Sequence, residues 1–138
     1  MNFSKETRSL RIVMMDDESL VIEMLATVIR TSFKNVTILT FTNAKLAYQE
    51  LMRETPDLFI TDVYHPPPDG IEILRLLTEA KVKYPVLVVS GFAKAKDVLP
   101  YASRGLRVTF LSKPCSRDHF LKAMETALQI RALRALPP

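Results

Sequence analysis

Five short apolar runs recur along this 138-residue chain, and a segment with helical spacing follows each of them. The runs are rich in β-branched residues and are bounded by polar ones, which is typical of strands buried in a sheet. They cover residues 10–15, 36–41, 58–62, 84–90 and 106–112. Because parallel strands need crossover helices, this alternation predicts an α/β fold with a five-stranded, parallel, doubly wound sheet.

The helical segments are predicted from apolar residues three or four positions apart. The first runs from Ser19 to Phe33, the second is capped by Asn43 and ended by Pro56, and the last is capped by Ser116. The fourth segment contains Pro100, which removes a backbone donor. We therefore expect the fourth helix to be interrupted, and kinked or shortened, at this proline.

Length and composition predict one domain over residues 1–138. We expect a core of about residues 11–133, a basic polar N-terminal tail and a helical C-terminal extension with no output domain. The apolar runs are too short to span a membrane, and the start lacks the apolar centre of a signal peptide. A single cysteine, Cys115, suits a reducing compartment, so a cytoplasmic location is expected.

The net charge of +4 raises the question of nucleic-acid binding. Much of the excess lies near the two ends of the chain, and no run of five or more basic residues occurs. No helix-turn-helix or zinc-finger signature is visible. The sequence therefore predicts a solvated basic surface with no direct nucleic-acid or membrane partner.

Polar side chains follow four of the five predicted strands, at the point where each strand ends. They are Asp16 and Asp17, Asp62, Ser90 and Lys113. In open parallel sheets the functional site lies outside the carboxyl ends of the strands. We therefore expect these side chains to meet at one edge of the sheet.

The chemistry of this set indicates phosphoryl transfer. Three carboxylates repel one another unless a cation joins them, and Mg²⁺ is the hard divalent ion that tolerates few protein ligands and several waters. A lysine and a serine hydroxyl suit the oxygens of an incoming phosphoryl group. One carboxylate is then available as the nucleophile that forms an acyl phosphate. Each residue alone could be a turn or cap residue, so the prediction depends on the whole set.

The motifs carry a family resemblance. They are "DD" at 16–17, "DVYHPPPDG" at 62–70, "VVSG" at 88–91 and "FLSKP" at 110–114. With these motifs the chain resembles a response-regulator receiver domain of two-component signalling, from Arg11 to about Leu133. The resemblance implies a flavodoxin-like sheet with strand order 2-1-3-4-5.

The resemblance also implies roles for the acidic residues. Asp62 would be the phosphoacceptor. Asp17 and Asp62 would ligate Mg²⁺ directly, together with the backbone carbonyl of Tyr64, and Asp16 would act largely through water. The bond between Lys113 and Pro114, which is cis in many members of the family, is expected to be cis here.

The remaining roles concern signalling. By the same resemblance Ser90 and Lys113 would bind the phosphoryl group, and Phe110 would be the aromatic switch residue. The phosphodonor would be a sensor histidine kinase or a phosphotransfer protein. A surface formed by the fourth helix, the fifth strand and the fifth helix would bind a second copy or a downstream effector. The protein would catalyse only its own phosphorylation and dephosphorylation.

Two alternatives remain open on the sequence. The first is a receiver fold that works as a docking module without phosphorylation. The second is an aspartate-nucleophile phosphohydrolase, which would need an acid two positions after the nucleophile. That position holds Tyr64, which argues against the enzyme.

Overall fold

The computed structural model describes residues 9–63, 69–91 and 93–130, and in them five strands alternate with five helices. The strands are β1 (Leu10–Met15), β2 (Val36–Phe41), β3 (Leu58–Thr61), β4 (Val86–Ser90) and β5 (Val108–Ser112). The helices are α1 (Ser19–Ser32), α2 (Ala44–Arg53), α3 (Asp69–Glu79), α4 (Ala95–Ser103) and α5 (Arg117–Leu128).

The strands form one parallel sheet in the order β2-β1-β3-β4-β5. This order confirms the predicted doubly wound, flavodoxin-like fold. β1 and β3 are central, and the register pairs Met15 with Thr61, one residue before each acidic motif. β1 and β3 therefore end at the same level of the sheet, which brings the residues that follow them side by side.

The sheet separates two hydrophobic cores. Successive residues of a strand point to opposite faces, so Ile12 and Met14 enter one core and Val13 and Met15 the other. The first core lies under α1 and α5, and the second under α2, α3 and α4. β3 and β4 are buried throughout, which agrees with the prediction that the apolar runs are strands buried in a sheet.

Two predicted helix caps are confirmed. The side chain of Asn43 accepts a hydrogen bond from the backbone N–H of Leu46 at 3.0 Å. Ser116 accepts one from the N–H of His119 at 3.0 Å. Each side chain satisfies one of the backbone donors that the first turn of a helix leaves without an intrahelical acceptor.

The prediction that Pro100 interrupts the fourth helix is wrong. α4 continues through it from Ala95 to Ser103. A proline at this position removes the hydrogen bond to the carbonyl of Lys96. Lys96 is exposed, so water can satisfy that carbonyl, while buried Val98 holds the helix on the core.

Three predictions fall outside the described residues. They concern the N-terminal tail, the C-terminal extension beyond residue 130, and Tyr64 as a source of a metal-binding carbonyl. Within the described ranges, no helix has the length and apolar character needed to cross a membrane.

Candidate functional site

Three loops and the end of one strand place polar side chains at the carboxyl edge of the sheet. Asp16 and Asp17 follow β1, Asp62 follows β3, Ser90 ends β4 and Lys113 follows β5. Asp16, Asp62 and Ser90 are buried, with 4%, 5% and 1% of their surface exposed, whereas Asp17 is exposed. The three acids and Lys113 come close together at this edge, as the rule for polar residues at strand ends predicts.

The three aspartates form one acidic cluster. Asp16, Asp17 and Asp62 each offer a carboxylate oxygen, and these oxygens all lie within 4.8 Å of one another. The backbone holds the cluster in place, because the N–H of Asp62 donates to the carbonyl of Met15 at 3.0 Å and that of Asp16 to Phe41 at 3.1 Å. The sheet thus fixes two of the three carboxylates by extending its hydrogen bonds one residue beyond the strands.

Lys113 joins the acidic cluster from the opposite side. Its Nζ donates to Oδ2 of Asp16 at 2.7 Å and to Oδ2 of Asp62 at 3.1 Å. Its backbone N–H donates to the carbonyl of Ser90 at 2.9 Å, which ties the loop after β5 to the end of β4. The ammonium group is therefore held between two buried carboxylates.

Burial and charge oppose each other in this pair. Burial is the largest influence on the pKa of Asp16 and raises it overall, although the hydrogen bonds from Lys113 and the Glu18 backbone and the charge of Lys113 lower it; repulsion from Asp62 adds slightly to the rise. Burial alone would lower the pKa of Lys113, but its hydrogen bonds to two carboxylates and their charges raise it overall. Lys113 is therefore protonated, and its single positive charge is less than the combined negative charge that the three carboxylates can carry.

The donor set fits a hard divalent cation. Three carboxylates against one ammonium leave an excess of two negative charges if all are ionised, and carboxylate oxygens are ligands that Mg²⁺ and similar ions prefer. The residues Asp16, Asp17 and Asp62 could therefore hold a metal ion. The exposed position of Asp17 leaves this side of the cluster open to solvent.

The two predicted switch residues lie on β4 and β5. Oγ of Ser90 accepts a hydrogen bond from the N–H of Ala93 at 3.2 Å, so the serine holds the loop that follows it. Phe110 is half-buried on β5, opposite Val88, and packs against the core under α2, α3 and α4. Both are placed where a change at the acidic cluster could reach the surface of α4 and β5.

The sequence did not reveal every residue near Lys113. Glu18 lies 3.9 Å from its Nζ through Oε1, and its backbone N–H donates to Asp16 at 2.9 Å. Its only sequence signal is its position directly after the acidic pair. The peptide bond between Lys113 and Pro114 is cis, as expected.

Comparison with known proteins identifies the family. The model of the response regulator receiver domain matches residues 12–125. A curated relative from Bacillus subtilis, named the probable C4-dicarboxylate response regulator DctR, is 30% identical over 122 residues, which are 88% of this chain and 53% of DctR. The chain spans about half or less of the length of the first curated relatives it matches.

Solved structures agree with this result. A response regulator receiver protein from Burkholderia phymatum has a TM-score of 0.72 at 25% identity, covering 89% of this chain and 98% of that one. The NtrC4 receiver domain, solved as a beryllofluoride-activated dimer, has a TM-score of 0.73 at 21% identity, covering 86% and 96%.

The fold and the acidic cluster define a phosphoacceptor module of the two-component class rather than a classical enzyme. The chain belongs to the response regulator receiver domain family.

Proposed function

We propose that Asp62 is the residue that accepts the phosphoryl group, assisted by Mg²⁺ and Lys113. The observation that carries the proposal is the meeting of three carboxylate oxygens within 4.8 Å with an ammonium group 3.1 Å from Asp62. Of the three acids, Asp62 is the one that follows β3, the middle strand of the sheet, between the strand that Asp16 and Asp17 follow and the strand that ends at Ser90. Asp62 is therefore better placed to act as the nucleophile.

The covalent step forms an acyl phosphate. A carboxylate oxygen of Asp62 forms a bond to phosphorus, and the P–N bond of the donor's phosphohistidine breaks, its electron pair returning to the imidazole nitrogen. Lys113 is positioned to transfer its hydrogen bond from the carboxylate to a phosphoryl oxygen. Asp16 and Asp17, together with Asp62, would hold Mg²⁺, which supplies neutralisation of the charge on the phosphoryl oxygens.

A groove beside the acidic cluster supports a protein as the donor. It lies between α1 and the start of α5, has a volume of about 630 Å³, and is floored by Val28 and Phe120. Leu20 and Met24 line it and are 74% and 64% exposed. Leu20 and Met24 lie one turn apart on this groove, and contiguous exposed apolar side chains mark interaction surfaces more than isolated ones do. A donor seated here would reach the crevice that Asp62 occupies.

The output of the switch is proposed to be the surface of α4, β5 and α5. Leu99 on α4 is 57% exposed and Phe110 is half-buried on β5. A phosphoryl group on Asp62 would compete for Lys113 and for the hydroxyl of Ser90, which holds the loop leading to α4. The NtrC4 receiver domain was solved as a dimer, and a second copy of this chain is accordingly one proposed partner. A cytoplasmic location is the matching expectation.

Intact-mass measurement tests the chemistry. The protein is incubated with a small acyl-phosphate donor and Mg²⁺, and we expect one added phosphoryl group. Asp62→Ala should add none, and Asp118→Ala, which removes an exposed acid at the start of α5, should react like the wild type. Chelation of the metal should abolish the reaction. Equal labelling of the wild type and Asp62→Ala would refute the assignment.

The same experiment separates the rival function. A folded protein that neither gains mass nor binds Mg²⁺ by calorimetry would be a docking module that works without phosphorylation. The groove is tested separately with a protein phosphodonor. Leu20→Ser should slow transfer from that donor but not from the small acyl phosphate, whereas Met52→Ser, an equally apolar exposed site on α2, should change neither.

A further inference from the structure

A second cleft lies at the edge of the sheet opposite the acidic cluster. It has a volume of about 650 Å³ and is formed by the loops that lead into β4 and β5. The residues that give it its character are two pairs of cations, Lys81 with Lys83 and Arg104 with Arg107. We refer to it as the basic cleft. Its position separates it from phosphotransfer at Asp62.

The residues that line the basic cleft carry four positive charges and one negative charge, a net charge of +3. All four cations are exposed, and none of them makes an ion pair with a carboxylate among the residues that the structure describes. One acid, Glu79, also lines the cleft, but its Oε2 accepts from Nη1 of Arg75 at 2.7 Å. The cleft therefore presents four cations and an acid that is already paired.

The cations are not required to cap the helices that end here. The last carbonyls of α3 and α4 accept hydrogen bonds from the backbone itself, such as Val82 N–H to Leu77 at 3.3 Å and Leu106 N–H to Tyr101 at 3.0 Å. The positive φ values of Lys81 (56°) and Gly105 (103°) turn the backbone so that these hydrogen bonds can form. The helix ends therefore leave the side-chain donors of the lysines and arginines available for a ligand, with the exception of Nη1 of Arg107.

Part of the basic cleft is already ordered. Nη1 of Arg107 donates to the backbone carbonyl of Lys83 at 3.0 Å, which links the two loops. The loops precede β4 and β5, and neighbouring strands lie about 4.8 Å apart, so the four charges are gathered in one small patch. The walls include the apolar side chains of Leu77 and Leu106, which are buried.

We propose that the basic cleft binds a small polyanion of the nucleoside polyphosphate class. The volume lies within the range of small-molecule sites, about 300 to 1,000 Å³. Four cations suit a ligand with two or more phosphate groups, and the exposed planar guanidinium groups of Arg104 and Arg107 suit stacking on a base. A nucleic-acid duplex fits less well, because the unpaired positive charge does not continue along this edge of the sheet, where Glu50 and Glu54 are paired with Arg11 and Arg53.

Calorimetric titration with ATP and with pyrophosphate tests the proposal. The titration is performed in a chelator, so that no metal can bring phosphates to the acidic cluster. We expect ATP to bind more tightly than pyrophosphate, and inorganic phosphate to bind most weakly. Lys81→Gln/Arg104→Gln should weaken ATP binding tenfold or more, because these two side chains make no hydrogen bond within the described fold and can be replaced without disturbing it.

Matched variants decide the outcome. Lys34→Gln and Lys96→Gln remove exposed cations elsewhere, and both should bind ATP like the wild type. No binding of ATP, or equal weakening by the control variants, would overturn the proposal. Tighter binding of duplex DNA than of ATP, lost in Lys81→Gln/Arg104→Gln, would also overturn it and would make the cleft a nucleic-acid contact. Because Asp62→Ala retains the basic cleft, ATP binding by that variant separates this site from the phosphoacceptor site.

Discussion

Replacing Asp17 with asparagine should stabilise the metal-free protein. Asp17 is the exposed member of the acidic cluster, so its side chain contributes little packing. It does contribute repulsion, because carboxylate oxygens of Asp16 and Asp62 lie within 4.8 Å of one of its own. The substitution Asp17→Asn would keep the size of the side chain and remove the charge.

The magnitude follows from these distances. At 4.8 Å two unit charges interact by about 0.9 kcal/mol in the dielectric of water. The carboxylate of Asp17 is repelled by those of Asp16 and Asp62. The ammonium of Lys113, which donates to both of these acids, offsets roughly one of the two repulsions. The expected gain is therefore about 1 kcal/mol at low salt. It should shrink toward zero at about 1 M salt, where the Debye length falls to about 3 Å.

Urea unfolding in a chelator measures this gain, and Mg²⁺ should reverse it. A ligand at a hundredfold excess over its dissociation constant stabilises a folded protein by about 2.7 kcal/mol. Because Asp17→Asn loses a ligand atom, it should gain less from Mg²⁺ than the wild type, so that the wild type becomes the more stable form. Glu23→Gln on α1, which removes an exposed acid outside the cluster, should change stability little in either buffer.

Two results would refute the reasoning. Asp17→Asn could be less stable than the wild type in the chelator, which would mean that the carboxylate stabilises the fold through a partner. Alternatively, its gain could be independent of salt, which would mean that charge repulsion is not the cause.

Three further predictions concern stability. Tyr84→Phe should stabilise the protein by about 1 kcal/mol in urea unfolding, because the Tyr84 hydroxyl is buried without a partner in the described part of the chain. Tyr101→Phe, at a half-buried site, is the control. A loss of stability in Tyr84→Phe would reveal a hidden partner of the hydroxyl. Asn43→Ala should cost about 1 kcal/mol by removing the cap of α2, and an unchanged urea midpoint would count against that role. The pKa of Glu50 lies below its ordinary value of 4.5, and the largest cause is the side-chain hydrogen bond from Arg53. The ionised Glu50 therefore stabilises the fold above pH 4.5, and this stabilisation is lost as the pH falls through the pKa of Glu50 in the folded protein. The stability difference between the wild type and Glu50→Gln should therefore narrow on acidification, and a difference that stays constant with pH would contradict this linkage.

The strands could be predicted most closely where polar residues bound them sharply. β1 and β2 have the predicted limits, residues 10–15 and 36–41. β4 begins at Val86 rather than at residue 84, because Tyr84 is apolar enough to extend the pattern but Pro85 has no N–H to pair. An apolar pattern reports burial, whereas a strand also requires hydrogen bonds to its neighbours.

The candidate site was predictable to the level of its position in the fold. The rule for parallel sheets located Asp16, Asp62 and Lys113 at one edge, since it depends only on strand direction. It could not predict that one ammonium bonds two carboxylates, because the reach of a lysine depends on the orientation of three separate loops. The basic cleft was likewise hidden, because its cations come from two separate loops that the sheet brings together.

The hydrogen bond from the Asp62 amide to the carbonyl of Met15 extends the central ladder of the sheet to the acceptor residue. Amides in such a ladder exchange with deuterium only through the rarest openings of the fold. The Asp62 amide should therefore be among the slowly exchanging ones, although its carboxylate faces the crevice. Phosphorylation would then leave exchange in β3 nearly unchanged and would alter it in the loop after Ser90 and in α4. The exchange rates of the core strands would then stay constant, so that changes in the exchange of the loop after Ser90 and of α4 can be measured against them.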